Sequence, residues 1–212
     1  MIINKAEFII SCTELSKCPK PILPEYAFIG RSNVGKSSLI NMLADIRHLA
    51  KTSGTPGKTQ LINFFLINES WHLVDLPGLG YAKAAKSSKA TWEAMIQNYL
   101  SKRECLLSTF YLVDSRLEPQ KIDLNFMEWM GKKQIPFVIV FTKADKISRP
   151  QLDKQVALYK KTLLKSWEDL PTMIFTSAEQ KLGKEEIFDF IEQTNKIFKA
   201  KMLSDCSNKK TI

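Results

Sequence analysis

The stretch YAFIGRSNVGKSSLINML, residues 26–43, decides the fold of this 212-residue chain. Its central segment GRSNVGKS, residues 30–37, fits the phosphate-binding pattern G-x-x-x-x-G-K-[ST]. The apolar run Tyr26–Ile29 predicts a strand before this loop, and the residues after it predict a helix over Lys36–Leu43. A strand, a glycine-rich turn and a helix in this order form the structural context that the pattern requires. The sequence therefore predicts a P-loop nucleotide-binding protein.

The residues of this P-loop have distinct chemical roles in the prediction. Gly30 and Gly35 permit backbone angles and a close approach of the chain that a side chain would block. The amides of Asn33–Ser38 are then expected to point at a β-phosphate from the N-terminus of a helix. Lys36 places its positive charge between the β- and γ-phosphates, and the Ser37 hydroxyl is expected to bind Mg²⁺.

The rest of the chain alternates short β-branched and aromatic runs with longer helical patterns, which indicates an α/β fold. The predicted strands are Tyr26–Ile29, Leu61–Ile67, Trp71–Val74, Thr109–Val113, Phe137–Phe141 and Thr172–Phe175. The predicted helices are Lys36–Leu43, Lys89–Ser101, Ile122–Gly131, Gln151–Ser166 and Lys184–Lys199. The gap Asn68–Ser70 has room for a hairpin but not for a crossover helix. We therefore expect a mostly parallel six-stranded sheet with one antiparallel edge strand and helices on both faces.

The composition predicts a single folded domain over residues 1–203 and a disordered basic tail over residues 204–212. Hydrophobic residues make up 44% of the chain and charged residues 25%, which is typical of a soluble globular protein. The longest apolar run, Phe137–Phe141, is too short for a transmembrane helix, and the N-terminus lacks a signal-peptide cleavage site. The four scattered cysteines form no CxxC pair, so neither a zinc ribbon nor a disulfide scaffold is expected. We expect a cytoplasmic protein without stable membrane insertion.

A second motif, TKAD at residues 142–145, indicates which base the nucleotide carries. Asp145 can accept hydrogen bonds from guanine N1–H and the guanine 2-amino group. Adenine offers no such pair of donors and would leave a buried carboxylate unsatisfied. The aliphatic stem of Lys143 can cover the base. The weaker segment FTSA, residues 175–178, ends the next strand and offers a backbone amide to guanine O6.

Two further segments have the composition of loops that sense a γ-phosphate. Asp75 of DLPG, residues 75–78, can hold Mg²⁺ through a water molecule, and the Gly78 amide can contact the γ-phosphate. The threonine-rich stretch KTSGTPGKTQ, residues 51–60, offers Thr55 or Thr59 as a hydroxyl ligand for Mg²⁺. The γ-phosphate and Mg²⁺ are expected to order Lys51–Gln60 and Leu76–Lys89, and hydrolysis is expected to release them, as in a nucleotide switch.

Together these motifs resemble the EngB (YihA/YsxC) family of bacterial GTP-binding proteins, relatives of Era among the Ras-like P-loop GTPases. The segments that carry the resemblance, in the family's order across nearly the whole chain, are GRSNVGKSSLIN, SGTPGKTQLINFF, LVDLPGLGYAK, TKADK and FTSAEQ. The resemblance implies a Ras-like GTPase domain and favours Thr59 over Thr55 as the Mg²⁺ ligand. It further implies a GTPase that associates with the large ribosomal subunit during assembly and is needed for normal division and septation. Leu79 and Leu117 depart from the family at positions where an aromatic residue and a histidine are common, which affects partner contacts more than nucleotide binding.

The candidate site residues fall into three groups. The catalytic group is Lys36, Thr59 and Gly78. The nucleotide-binding group is Gly30, Arg31, Ser32, Asn33, Val34, Gly35, Lys36, Ser37, Ser38, Gly57, Lys58, Thr59, Gln60, Leu61, Asp75, Leu76, Pro77, Gly78, Thr142, Lys143, Ala144, Asp145, Phe175, Thr176, Ser177 and Ala178. The metal group, for Mg²⁺, is Ser37, Thr59 and, through water, Asp75.

The residue after DxxG bears on the rate of hydrolysis. A Ras-like enzyme positions the attacking water with a glutamine there, and this chain has Leu79. Leucine cannot orient water and no arginine is an obvious finger, so we expect slow intrinsic turnover and activation in trans. One hypothesis is that K⁺ supplies the missing positive charge beside Asn33, as in some related GTPases. The alternative is that Asn33 makes only local hydrogen bonds.

The net charge of +9 and the pI of about 9.3 favour a polyanionic partner, a nucleic acid more than an acidic membrane. The resemblance implies that this nucleic acid is rRNA. A candidate surface for it, with Glu93 as its one acid, contains the basic residues Lys83, Lys86, Lys89, Lys102 and Arg103. No RNA-binding module signature is present, so we expect contacts to phosphates and to the shape of the RNA. We expect the protein to be a monomer. Two other classes of protein remain open: a nucleotide-dependent interaction protein of the division machinery or membrane, and a P-loop kinase or ATPase.

Overall fold

The computed structural model describes residues 1–50, 61–80 and 86–208. Its strands are β1 (Ala6–Cys12), β2 (Glu25–Gly30), β3 (Ile62–Ile67), β4 (Trp71–Asp75), β5 (Leu106–Asp114), β6 (Phe137–Thr142) and β7 (Met173–Phe175). Its helices are α1 (Lys36–Ala44), α2 (Lys86–Lys102), α3 (Lys121–Lys132), α4 (Arg149–Leu163) and α5 (Lys184–Asn208). Within the described ranges, no helix combines the length and the apolar character needed to cross a bilayer.

The strands form one seven-stranded sheet in the order β1-β3-β4-β2-β5-β6-β7. Strands β4, β2, β5, β6 and β7 are parallel, whereas β3 runs antiparallel to both of its neighbours, β1 and β4. The predicted α/β fold with a mostly parallel sheet and antiparallel pairing at one edge is confirmed. Since the parallel strands end at the same edge, the loops that follow them converge there, which is where open α/β sheets bind ligands.

Strand β1 is the element that the sequence analysis missed, so the predicted number of strands was wrong. It forms by backbone pairing along β3, with Cys12 opposite Ile62 and a register shift at Ile9. Its side chains are largely on the surface, and that of Phe8 is 55% exposed. Because the strand has little buried face, its sequence lacks the alternation of apolar and polar residues by which a strand is detected.

Two apolar cores cover the two faces of the sheet, which confirms the helices predicted on both faces. Helices α2, α3 and α4 pack on one face through Trp92, Ile96, Met127, Met130, Tyr159 and Leu163. Helices α1 and α5 pack on the other face through Leu39, Ile40, Leu43, Ile187, Phe188 and Ile191. Burial of each such side chain contributes about 1.5–3 kcal/mol, so these helices hold the strand ends and their loops in place.

Helix α5 is longer than predicted. It runs to Asn208, past the predicted end at Lys199 and into residues 204–208 of the segment predicted as a disordered tail. Its fully buried apolar residues lie near its beginning, at Ile187 and Ile191. The apolar periodicity therefore fades before the helix ends, which explains why the pattern placed the boundary too early. Residues 209–212 lie outside the described residues.

Candidate functional site

The predicted P-loop lies between β2 and α1, as the sequence required. Gly30 ends β2 so close to β5 that a Cβ atom would lie 2.6 Å from the Leu112 carbonyl oxygen. Gly35 precedes α1 with a φ of +105°, and Asn33 adopts a φ of 62°. Glycine reaches such angles without strain, and asparagine tolerates them better than most residues. The loop backbone thus has the compact turn that a phosphate cradle needs.

The DLPG segment lies directly against this loop. The Leu79 amide donates to the Gly30 carbonyl at 2.8 Å, and the Ser32 amide donates to the Leu79 carbonyl at 3.2 Å. Gly78 lies between them, where a Cβ atom would be 3.3 Å from the Ser32 nitrogen. The Leu79 side chain is buried in the apolar core beneath. A buried leucine side chain has no polar group with which to orient an attacking water.

The structure brings the predicted phosphate-binding lysine and the predicted metal-binding aspartate together. Lys36 Nζ donates to Asp75 Oδ1, and the two side chains are only 11% and 5% exposed. Ser37 occupies the first turn of α1, next to this pair. Within the described ranges, no group of three His, Cys, Asp or Glu side chains could hold a metal ion. A Mg²⁺ at this place would therefore take most of its ligands from phosphate and water, as is usual for nucleotide-bound Mg²⁺.

The TKAD segment lies beside the P-loop and closes the site from the other side. Lys143 adopts a φ of 58° and its Nζ donates to the Asn33 carbonyl at 2.7 Å. The Thr142 hydroxyl donates to the Val34 carbonyl at 2.6 Å. These two bonds join the strand end of β6 to the loop, so the predicted base-binding and phosphate-binding segments form a single site.

A cavity of about 640 Å³ opens along this junction. It is lined by the predicted residues Gly35, Ser38, Thr142, Lys143, Asp145, Thr176 and Ala178, together with residues of α1 and of the loop that follows it. The volume is in the range of pockets that hold ligands of nucleotide size. The candidate nucleotide site is therefore a formed cleft between the P-loop and the two segments predicted to hold the base.

The environment of Asp145 suits an acceptor for guanine. A hydrogen bond from the Ser177 hydroxyl, together with Lys146, lowers the pKa of Asp145, so its carboxylate is charged at neutral pH. Lys146 Nζ lies 3.0 Å from Asp145 Oδ2 and also pairs with Glu179 across the mouth of the cavity. Ser177 is fully buried, which fixes the position of the acceptor.

The FTSA segment is attached to the TKAD segment through the backbone. The Thr176 amide donates to the Phe141 carbonyl at 2.7 Å, and the Ala144 amide donates to the Thr176 carbonyl at 3.1 Å. Phe175 stacks on Phe141 with ring centroids 5.3 Å apart, so its ring packs against the sheet. Thr176 and Ala178 both line the cavity, and both belong to the segment predicted to contact the base.

Some predicted residues cannot be placed or differ from expectation. Gly57, Lys58, Thr59 and Gln60 lie outside the described residues, whereas Leu61 directly precedes β3. The Arg31 side chain turns away from the loop, and its Nε lies 3.1 Å from Asp123 of α3. The Tyr111 hydroxyl donates to the same buried carboxylate at 2.9 Å. The side chain of Arg31 thus anchors the loop to α3, while its backbone remains part of the P-loop.

The basic surface predicted between Tyr81 and Arg103 is smaller than expected. Arg103 is 6% exposed and its guanidinium donates to both oxygens of the fully buried Glu25, at 2.8 and 2.6 Å. Arg103 is therefore part of an internal ion pair, and its guanidinium is not available to contact RNA. Lys102 is exposed, Lys83 lies outside the described residues, and the side chains of Lys86 and Lys89 are not described.

Fold and site together define a P-loop GTPase. A family model described as a 50S ribosome-binding GTPase matches residues 25–143. "Probable GTP-binding protein EngB" of Christiangramia forsetii is 56% identical over 195 residues, which are 92% of this chain and 98% of the relative. The protein of the same name from Bacteroides fragilis is 54% identical and covers 95% of this chain and 100% of the relative. The chain belongs to the EngB family of GTP-binding proteins and is a GTP-hydrolysing enzyme.

Solved structures agree with the fold. A crystal structure of a probable GTP-binding protein engB aligns with 81% of this chain and 98% of its own, with a TM-score of 0.66 and 20% identity. Aquifex aeolicus Era bound to GDP and AlF4⁻ aligns with 81% of this chain and 56% of its own, with a TM-score of 0.67 and 19% identity. A structure of Era in complex with MgGDPNP and nucleotides 1506–1542 of 16S ribosomal RNA covers 81% of this chain and 56% of its own, at 19% identity and a TM-score of 0.64. At this identity the likeness concerns the fold alone.

Proposed function

We propose that this protein is a Mg²⁺-dependent nucleotide switch that acts in assembly of the large ribosomal subunit and supports normal cell division and septation. The observation that carries the nucleotide part of the proposal is the contact of Lys143 Nζ with the Asn33 carbonyl at 2.7 Å, and the ribosomal part is supported by the description of the matching family model. This contact joins the guanine-reading segment to the P-loop, so binding of GTP involves both at once. The protein is proposed to work as a cytoplasmic monomer with one GTPase domain.

Each part of the site has a proposed role in binding GTP. The amides at the N-terminus of α1 hold the β-phosphate, and Lys36 exchanges its contact with Asp75 for the β- and γ-phosphates. Asp145 accepts the guanine N1–H and 2-amino donors, while the stem of Lys143 lies over the base. The Thr176–Ala178 segment faces the opposite edge of guanine and offers an amide to O6.

The polar side chains at the start of α1 and at the end of β4 are suitable ligands for Mg²⁺. Ser37 is proposed as a direct ligand and Asp75 as a ligand through water, with Thr59 completing the shell. When bound, Mg²⁺ would neutralise charge on the β- and γ-phosphates. Lys36 and Asp75 are both nearly buried, so their charges act in a poorly screened environment and hold the phosphates firmly.

Hydrolysis is proposed to be slow without an activator, because the residue after DxxG cannot position water. The amide of Gly78 and the charge of Lys36 remain to stabilise the transition state. The side chain of Leu79 is 4% exposed and packs in the core, so a partner must supply or position the missing group. An rRNA or protein surface of the large subunit is the proposed source of activation.

The K⁺ hypothesis gives a testable prediction about turnover. The Asn33 carbonyl accepts Lys143, which leaves its side-chain oxygen as the proposed contact to K⁺. We expect GTP turnover to be at least about threefold faster in KCl than in NaCl at equal ionic strength, with or without large subunits. The Asn33→Gly variant keeps the backbone angle and should lose the difference. Equal wild-type rates in both salts would show that Asn33 has only a local role.

The partner is proposed from two features of the chain. The net charge of +9 favours a polyanion, and the matching family model is described as ribosome-binding. The test is nucleotide-dependent binding to separated ribosomal subunits, in which the GTP-bound form should bind the large subunit selectively. A P-loop kinase or ATPase would instead bind ATP in competition with GTP.

A further inference from the structure

An acidic residue outside the predicted motifs lies next to the candidate site. Asp114 ends β5 and pairs in register with Thr142, the first residue of TKAD. Its side chain is 6% exposed and is surrounded by donors from two directions. Arg116 donates through its amide at 3.1 Å, through Nε at 2.9 Å and through Nη2 at 2.8 Å. Lys143 Nζ donates at 2.9 Å to Oδ2, the oxygen that also accepts from Arg116 Nη2.

The Lys143 ammonium is thereby held between two acceptors from different segments. One is Asp114 Oδ2 and the other is the Asn33 carbonyl of the P-loop. The stem of Lys143 crosses the loop, and its Cε lies 3.6 Å from the place that a Cβ of Gly35 would occupy. Without these acceptors, the long Lys143 side chain would lose its rotamer freedom when the ligand binds, and that loss would weaken binding. Because the two acceptors already fix the side chain in the free protein, binding avoids this entropic cost.

We propose that Asp114 is a positioning residue for the nucleotide, because it holds Lys143 across the P-loop in the orientation that covers guanine. This inference rests on the proposed role of Lys143. Lys143 lines the cavity whereas Asp114 lies behind it, so Asp114 is proposed to act on the nucleotide through Lys143. Since the base and the first phosphates are common to GTP and GDP, Asp114 strengthens the binding of both nucleotides equally.

The charge of Asp114 persists over the whole physiological pH range. Burial alone would raise the pKa of this carboxyl, but hydrogen bonds from Arg116 and Lys143 outweigh it and lower the pKa to about 2. The ammonium of Lys143 therefore has a charged partner whether or not nucleotide is present. An amide in place of the carboxylate would keep the size of the side chain and remove this charge.

The test is a double-mutant cycle on nucleotide affinity. Asp114→Asn should weaken GDP and GTP binding by about tenfold each, raising KM while kcat stays within about twofold of wild type. Lys143→Met, which keeps the stem and removes the ammonium, should also weaken binding at least about tenfold. In the Lys143→Met background, the additional Asp114→Asn change should lower the nucleotide affinity by less than about a further twofold. Arg116→Gln is the matched control, since it removes the guanidinium from Asp114 but leaves the backbone amide of residue 116 and Lys143 in place, and should change affinity less than about twofold.

Each result has a distinct meaning. An equal loss from Asp114→Asn in both backgrounds, or no loss in the wild-type background, would overturn the inference. No loss from Lys143→Met would overturn the proposed role of Lys143 itself, and with it the basis of the inference. Melting of the nucleotide-free variants checks the fold. If Asp114→Asn does not fold, Asp114→Glu replaces it in the same cycle and should lose affinity only where Lys143 is present.

Discussion

Asp145→Asn is expected to lower the affinity for GTP and GDP by about 10²–10⁴-fold and to create affinity for xanthine nucleotides. The loss follows from two hydrogen bonds to a charged acceptor, each worth about 1.5–3 kcal/mol. An asparagine amide presents a donor to the 2-amino group of guanine, which also donates. Xanthine carries a carbonyl at that position and accepts from the amide instead.

The measurement is competition against a fluorescent GDP by GTP, ATP and xanthosine triphosphate. Asp153→Asn is the matched control, because Asp153 lies on α4, is 62% exposed and pairs with Arg149. It should bind all three nucleotides as the wild type does. Unchanged GTP affinity in Asp145→Asn, or competition by ATP in the wild type, would contradict a guanine-specific site at TKAD.

Arg103→Met is expected to lower the free energy of unfolding by about 3–5 kcal/mol, because it leaves a buried carboxylate without its cation. Glu25 is fully buried at the start of β2 and accepts two bonds from Arg103 and one from the Tyr99 hydroxyl at 2.8 Å. Arg103 also donates to the Pro19 carbonyl at 2.6 Å. The pair thus ties the end of α2 to the strand that carries the P-loop at its other end.

Urea unfolding of matched variants measures this cost. The double variant Glu25→Gln with Arg103→Met removes both charges and should regain a large part of the lost stability. Arg149→Met is the surface control, since Arg149 is 82% exposed, and should unfold as the wild type does. If Arg103→Met proved as stable as Arg149→Met, the Glu25–Arg103 pair would not be the internal link described above.

The fold was predictable from sequence where burial imposes a pattern. The buried strands β2 and β6 have continuous apolar runs, and their predicted bounds are within a residue of the observed ones. Strand β1 escaped detection because it is held by backbone pairing at an exposed edge. The end of α5 was placed too early because residues 199–202, at the predicted boundary, are all exposed and give no buried apolar stripe to follow.

The arrangement of the candidate site was predictable to the extent that its motifs are local. The P-loop and TKAD are contiguous motifs, and the structure places both at one cleft. The contact between Lys143 and Asn33 joins residues far apart in the chain, which no spacing reveals. Arg103 was wrongly assigned to a basic surface for the same reason, since its partner Glu25 lies on a distant strand. Asp114 could have been noticed as an acid at the end of an apolar strand that precedes TKAD.

The central claim, a nucleotide switch on the large ribosomal subunit, is tested most directly by co-sedimentation of the purified protein with separated subunits in sucrose gradients. The gradients contain a non-hydrolysable GTP analogue or GDP and cover a series of salt concentrations. We predict comigration with the large subunit alone, with the analogue and not with GDP, that persists at moderate salt. Equal smearing over both subunits that disappears at modest salt, or no comigration, would contradict the claim. Either result would mean that the net charge of +9 gives at most non-specific affinity for RNA. Partners in the division machinery or at the membrane would then be tested next.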